Sequence, residues 1–310
     1  METIKASVGI KGRNNKADVL VIRKLLRRHA HWLPANQQVA ETGAYEPTIG
    51  AAIQTFQKTA GAVKSPDGRV DPNGYSLRRL NAASIPKPDH MIFWPLCWHR
   101  DGDGLLDADF KTAATKLMCE VAAIKAVAEV EVSSRGAWEQ IDGRPTILFE
   151  RHKFKKHSGG TWDRTHSDIS GSYSARSYGL FREQYEKLYR AAVLDQSAAL
   201  KACSYGAFQI LGENFKECGY QSVEDYVDST LDSQRKHLDA FVSFILSNAA
   251  LLTAIRNKQW ATFAKGYNGP SYKDNDYDTK MADAYKKFAP PPPKKTGAEH
   301  GTKKKPAPAQ

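Results

Sequence analysis

The chain has 310 residues, 41% hydrophobic and 10% aromatic, with 45 Lys and Arg against 34 Asp and Glu for a net charge of +11. That is enough for two domains and a sizeable core, and no apolar run approaches the roughly 18 residues that would read as a membrane span. The positive balance favours polyanionic partners: nucleic acid, anionic lipid or the anionic bacterial envelope.

The start, Met1 to Lys5, carries no apolar leader segment, so no secretory signal is expected and synthesis in the cytoplasm is. Cys97, Cys119, Cys203 and Cys218 show no CxxC spacing and read as reduced thiols.

Residues 1–83 read as a small helical unit. An amphipathic helix starts near Asp18, which lies at its positive end, and runs through Val19, Ile22, Leu25 and Leu26. A second starts near Thr48, a candidate N-cap, and carries Ala52, Ile53 and Phe56. Ser65 to Gly74 is a dense turn cluster, and a short third helix begins at Ser76. No cluster of catalytic groups is present in this unit.

Residues 84–105 form a linker broken by Pro86, Pro88 and Pro95. Asp101 to Gly104 has half the look of a calcium loop, but Leu105 stands at the fifth position and no Glu closes it, so a turn is expected. Residues 106–289 are helix-rich, with amphipathic runs at 185–194 and 238–246 and a capping pair Ser222 and Asp225. One strand-like run, Pro145 to Phe149, precedes Glu150, Arg151 and His152. Ser177 to Phe181 echoes Ser204 to Phe208, but the flanks differ and the echo reads as chance. Residues 290–310 open with four prolines and continue with Lys, Ala, Thr and Gly, a composition expected to be disordered. Its lysines, Lys294, Lys295, Lys303, Lys304 and Lys305, are candidates for contact with an anionic envelope.

The chemistry concentrates at the end of one apolar helix. Phe110, Ala114, Leu117, Val121, Ile124 and Ala128 recur at helical spacing, and Glu129 and Glu131 follow before the small-residue loop Ser133 to Gly136. At about 100° per residue, Glu131 lies roughly 60° from the centre of the apolar face and Glu129 roughly 100°. Glu131 is therefore the half-buried acid, in a setting that raises a carboxyl pKa, as the proton donor of a glycosidase requires. Two further segments, Ser204 to Ile210 and Gly266 to Pro270, look like loops of a sugar cleft.

Two resemblances cover most of the chain. Asp18, Val19, Leu25, Leu26, Ala52, Ile53, Phe56, Gln57 and the run DGRVDP at 67–72 resemble the peptidoglycan-binding domain type 1 family, which implies a three-helix module docking on cell-wall glycopeptide. From Asp107 to Phe288 the chain resembles the N-acetylmuramidase family of phage endolysins, through AVAEVE at 126–131, DGRP at 142–145, ILFERH at 147–152, SYGAFQILG at 204–212 and KGYNGP at 265–270. The sequence departs from that family where Val132 follows Glu131 and Tyr205 stands in place of a frequent Trp.

The second resemblance implies an all-α, lysozyme-like fold that cleaves the β-1,4 bond between N-acetylmuramic acid and N-acetylglucosamine, with Glu131 as general acid. Glu150, and after it Asp142, are candidates for a second carboxylate; the alternative for Glu150 is an ion pair with Arg151 or another base. Tyr205, Gln209, Tyr267, Asn268 and His152 are the candidate substrate-binding residues, tyrosine faces packing on sugar rings and amides bonding to N-acetyl groups. Peptidoglycan is the expected partner, the chain is expected to be a monomer, and with no signal peptide it would reach the wall through a pore made by another protein.

Four alternatives remain. A lytic transglycosylase shares the lone-Glu design and would leave anhydro ends. A secreted bacterial effector would carry the same sequence features. A cysteine peptidase would use Cys203 with His152, His166 or His237 as base, and a wall-binding protein would lack activity. No HExxH motif is present, so neither metal nor cofactor is expected, and the basic residues form no recognition helix for nucleic acid.

Overall fold

The computed structural model describes residues 1–40, 42–93, 104–132, 136–139 and 143–290. Cys97, the half calcium loop at 101–103, the loop residues 133–135, the alternative carboxylate Asp142 and the tail from 291 onward lie outside these residues.

The first unit is built around apolar stripes. Strand β1 (Val8–Gly9) leads to helix α1 (Lys16–Arg28), which turns Val19, Ile22, Leu25 and Leu26 inward; α2 (Pro47–Lys58) adds Ile49, Ile53 and Phe56. These positions repeat at three and four residues, which makes one face of each helix apolar. Strand β2 (Arg69–Val70) pairs antiparallel with β1, Val8 opposite Val70, and α3 (Tyr75–Leu80) closes the unit with Leu77 and Leu80. Gly9 has φ +118°, and a Cβ there would lie 2.1 Å from the Gly68 carbonyl oxygen, so the β1–β2 contact requires glycine. Asp18 does lie in the first turn of α1, where its carboxylate also accepts from the amides of Lys5 (2.8 Å) and Ala6 (3.1 Å) and ties down the N-terminal segment. Thr48 is not the cap of α2: the helix begins at Pro47 after Glu46, because proline at the first position needs no amide partner.

The second unit comprises α4 (Asp107–Leu117), α5 (Val121–Val132), β3 (Ile147–Phe149), α6 (Arg151–His157), α7 (Gln184–Leu194), α8 (Gln196–Lys201), β4 (Cys203–Tyr205), β5 (Ile210–Leu211), α9 (Val223–Asp232), α10 (Gln234–Leu246), α11 (Ala249–Arg256), α12 (Trp260–Tyr267) and α13 (Tyr277–Phe288). With thirteen helices and two small sheets among the described residues, the fold is mainly α and lysozyme-like, as the sequence implies. The Ser222 cap is present: its hydroxyl accepts from the Asp225 amide at 3.0 Å. No single helix among the described residues is long and apolar enough to cross a membrane.

Helix α5 is the axis of this unit. Ala122, Ala123, Ile124, Ala126 and Val127 are all buried, with α13 along one side and α4 and the Gly206–Phe208 turn on others. Its last turn rises toward the surface and carries Glu129 and Glu131. The three-stranded sheet β3–β4–β5 stands beside it, antiparallel throughout, with Ile147 opposite Tyr205 and Phe149 opposite Cys203.

The two units share a polar seam. Val193 of α7 is buried within the first unit's core. The carbonyls ending α2 receive donors from both units: Arg79 Nε to Ala60 (2.9 Å), Tyr75 hydroxyl to Gly61 (2.8 Å), His166 Nε2 to Gly61 (3.1 Å) and Arg190 Nε to Ala62 (2.9 Å). Arg190 is 5% exposed and is also held by both carboxylate oxygens of Asp168, at 2.7 and 3.2 Å.

Candidate active site

The half-buried carboxyl of Glu131 sits at the end of α5 and accepts a 2.8 Å hydrogen bond at Oε1 from the Asn268 side-chain amide. Burial raises its pKa to about 7, while the Asn268 bond pulls the other way. Asn268 follows α12 directly, so a helix end on each side fixes the pair. The other amide atom of Asn268, Oδ1, is buried and has no hydrogen-bond partner among the described residues. Glu129, two residues earlier, turns outward to an ion pair with Lys287 of α13. A surface depression of about 430 Å³ bordered by Leu105, Phe110, Glu129 and Phe288 does not include Glu131.

Glu150 occupies the turn between β3 and α6. Alternation along β3 sends Ile147 and Phe149 into the core and leaves Leu148 and Glu150 on the other face. The Tyr178 hydroxyl donates to Glu150 Oε2 at 3.3 Å, and His152 Nε2 lies 3.4 Å from the same oxygen. Burial raises the Glu150 pKa, partly offset by the charge of Lys153, and burial lowers that of His152. Arg151 does not pair with Glu150; it donates to the carbonyls of Ser167 (2.7 Å) and Ser172 (3.0 Å).

Lys153 and Lys156 are engaged by Glu213 at 2.6 and 2.8 Å, with His157 Nε2 at 2.7 Å. Burial alone would raise the Glu213 pKa, but these three donors bring it down to about 2.

The remaining predicted residues divide. Tyr205 is 1% exposed, donates its hydroxyl to the Leu200 carbonyl at 2.9 Å and packs edge-on against Tyr226, so it presents no face to a sugar. The reason is register: pairing with Ile147 puts it on the core side of the sheet. Gln209 braces its own loop. Its amide nitrogen donates to Thr146 and Gly206 carbonyls at 3.0 and 2.9 Å, and its oxygen accepts from Ser204 at 2.9 Å. Tyr267 stacks on Phe263 and donates to the Phe208 carbonyl at 2.6 Å, close enough to Glu131 for the two charges to oppose each other. The structure thus brings Glu131, Tyr267 and Asn268 together, and Glu150 with His152, and withdraws Tyr205 into the core.

A peptidase arrangement finds no support here. Cys203 is buried on the core face of β4, and burial holds its thiol well above the usual range. His237 is enclosed, with Nε2 2.7 Å from the Thr230 carbonyl and Nδ1 accepting from the Ala207 amide at 3.1 Å. His166 is 2% exposed and burial lowers its pKa to about 4. Gly206, with φ +66°, leaves room for the His237 ring, which a Cβ there would meet at 2.5 Å. Among the described residues no group of three His, Cys, Asp or Glu side chains could hold a metal ion.

Tyr173, Tyr178, Gln184 and Lys187, which surround or fix the Glu150 corner, were not singled out in the sequence. The echo of Ser204–Tyr205–Gly206 at Ser177–Tyr178–Gly179 was the available signal.

Residues 120–289, which hold Glu131, Glu150 and Asn268, match the N-acetylmuramidase family. No curated protein matches the chain. Among solved structures, the crystal structure of the Burkholderia AP3 phage endolysin is similar at 31% identity and a TM-score of 0.55, over 93% of this chain and 98% of that one. A helix-end carboxyl held near neutral pKa, on a mainly α scaffold with this match, makes the chain a member of the N-acetylmuramidase family, a glycoside hydrolase that degrades peptidoglycan.

Proposed function

We propose that the enzyme cleaves the β-1,4 bond between N-acetylmuramic acid and N-acetylglucosamine, with Glu131 as the general acid. The carrying observation is the Glu131–Asn268 pair at the end of an apolar helix. A carboxyl with a pKa of about 7 is half protonated at neutral pH, so it can give its proton to the leaving oxygen as the sugar bond stretches. The Asn268 amide occupies Oε1 and leaves Oε2 for the proton. The same N–H bond favours the carboxylate that forms. Glu150 is the second carboxylate; a pKa raised by burial suits a base that activates water.

Residues 1–83 dock on the wall, and residues 84–105 join them to the catalytic unit. The resemblance of the first unit and the similarity to a phage endolysin support a protein that reaches peptidoglycan from the cytoplasm through a pore made by another protein. The lysines of the tail add attraction to the anionic envelope.

Mass spectrometry of muropeptides released from purified sacculi tests the reading. Reducing muramic ends are expected; anhydro ends would mean transglycosylation, and cut peptides would overturn it.

A further inference from the structure

The loop between α6 and α7 carries one exposed tyrosine, Tyr173, beside the half-buried rings of Tyr178 and of His152 in α6, and buried polar groups fix the loop from beneath. Tyr173 is 54% exposed. Its ring meets His152 edge-on at 5.3 Å and Tyr178 edge-on at 6.4 Å. A lone exposed ring is ordinary on a protein surface. What distinguishes this corner is the mounting of the neighbouring Tyr178 segment.

Lys187, 6% exposed, donates to the carbonyls of Ser177 (3.0 Å) and Tyr178 (2.7 Å). Gln184, 1% exposed, donates to the carbonyls of Tyr178 (2.8 Å) and Leu180 (3.0 Å) and accepts from the Phe149 amide of β3 at 2.9 Å. On the other flank, Arg151 holds the carbonyls of Ser167 and Ser172. Gly179, at φ +64°, keeps the space that a Cβ would take from Glu183 and Lys187. The loop is thus fixed from α7 by Gln184 and Lys187 and from α6 by Arg151, and Gln184 also ties α7 to β3, the strand that leads to Glu150. Burying a lysine under a surface loop is costly unless its donors are used, and here they set the position of one tyrosine.

We propose that Tyr173, Tyr178 and His152 form a binding platform for one N-acetylated hexose ring of the glycan strand, with Lys187 and Gln184 as its positioning residues. The proposal rests on the glycan-cleaving reading of the cleft. A pyranose offers an apolar C–H face that packs on an aromatic ring, and Glu150 and His152 supply polar atoms at the platform edge for hydroxyl or amide groups.

The test uses the full-length Glu131→Gln protein, which cannot turn over its ligand, titrated calorimetrically with an N-acetylglucosamine hexamer. Adding Tyr173→Ala is expected to weaken binding about tenfold, and Tyr173→Trp to restore it. In the active enzyme the loss from Tyr173→Ala falls on KM for sacculi rather than on kcat. Tyr173→Leu, which keeps bulk without an aromatic face, should behave like Tyr173→Ala and guards against a folding artefact. Equal hexamer affinity with Tyr173 intact and after Tyr173→Ala or Tyr173→Leu overturns the platform, and so does a Glu131→Gln protein that binds no hexamer. Neither result touches the muropeptide products of the unmodified enzyme, which decide the cleavage chemistry separately.

Discussion

Asn268 donates its side-chain amide to Glu131 at 2.8 Å, and this bond opposes the burial that lifts the acid to about 7. Removing it therefore raises the Glu131 pKa further. Asn268→Ala should move the alkaline limb of the kcat/KM profile to higher pH and lower kcat roughly tenfold or more, since one oriented donor to a developing charge is lost. A limb that stays in place or moves to lower pH would show that Glu131 is not the titrating acid. Glu131→Gln should remove nearly all activity. Glu129→Gln, which breaks a partly exposed pair with Lys287, should keep most of it and cost at most about 1 kcal/mol of stability.

The same acid destabilises the fold when ionised. Its folded pKa of about 7 lies above the ordinary 4.5, so the folded state binds the proton more tightly. The associated stability is fully present below pH 4.5 and is lost as pH rises through 7. Glu131→Gln should therefore raise the Tm at pH 8, by up to about 3 kcal/mol in free energy, and leave it nearly unchanged at about pH 4. Thermal melts at the two pH values check this; the same Tm change at both would sink the idea.

Glu213 has the opposite sign. Three donors hold its pKa near 2, below the ordinary 4.5. Its contribution is present above pH 4.5 and disappears as pH falls through 2. Glu213→Gln should cost about 2 to 3 kcal/mol in urea unfolding at pH 7, and the difference should shrink toward pH 2. A cost independent of pH would mean that packing, not charge, is what the residue supplies.

The seam between the units should make them melt together. Arg190 is buried and joins Asp168 to the end of α2, so Arg190→Met should cost about 3 kcal/mol, chiefly by stranding its partners. Calorimetry should show one transition in the unmodified protein. Two separated transitions would show that the seam does not couple the units.

Local features were readable from residue order. The apolar spacing that sets Glu131 nearer the buried face than Glu129 was readable, but the stretch from Phe110 to Ala128 that carries it is two helices, α4 and α5, parted at Met118, whose left-handed backbone ends α4. The strand before Glu150 and the Ser222 cap are equally local, each depending on a few adjacent residues. Tyr205 was not readable, since both faces of a strand accept tyrosine and only the pairing with Ile147 assigns its side. Nor was Gln209, whose amide is consumed by Thr146 and Ser204 after the chain has folded back. The Asn268–Glu131 bond spans 137 residues and the Arg190–Ala62 bond 128. Periodicity reports which face of an element is apolar. Which polar tip meets which partner, and so which carboxyl is held near neutrality, follows only when the packed core brings distant helix ends to one place.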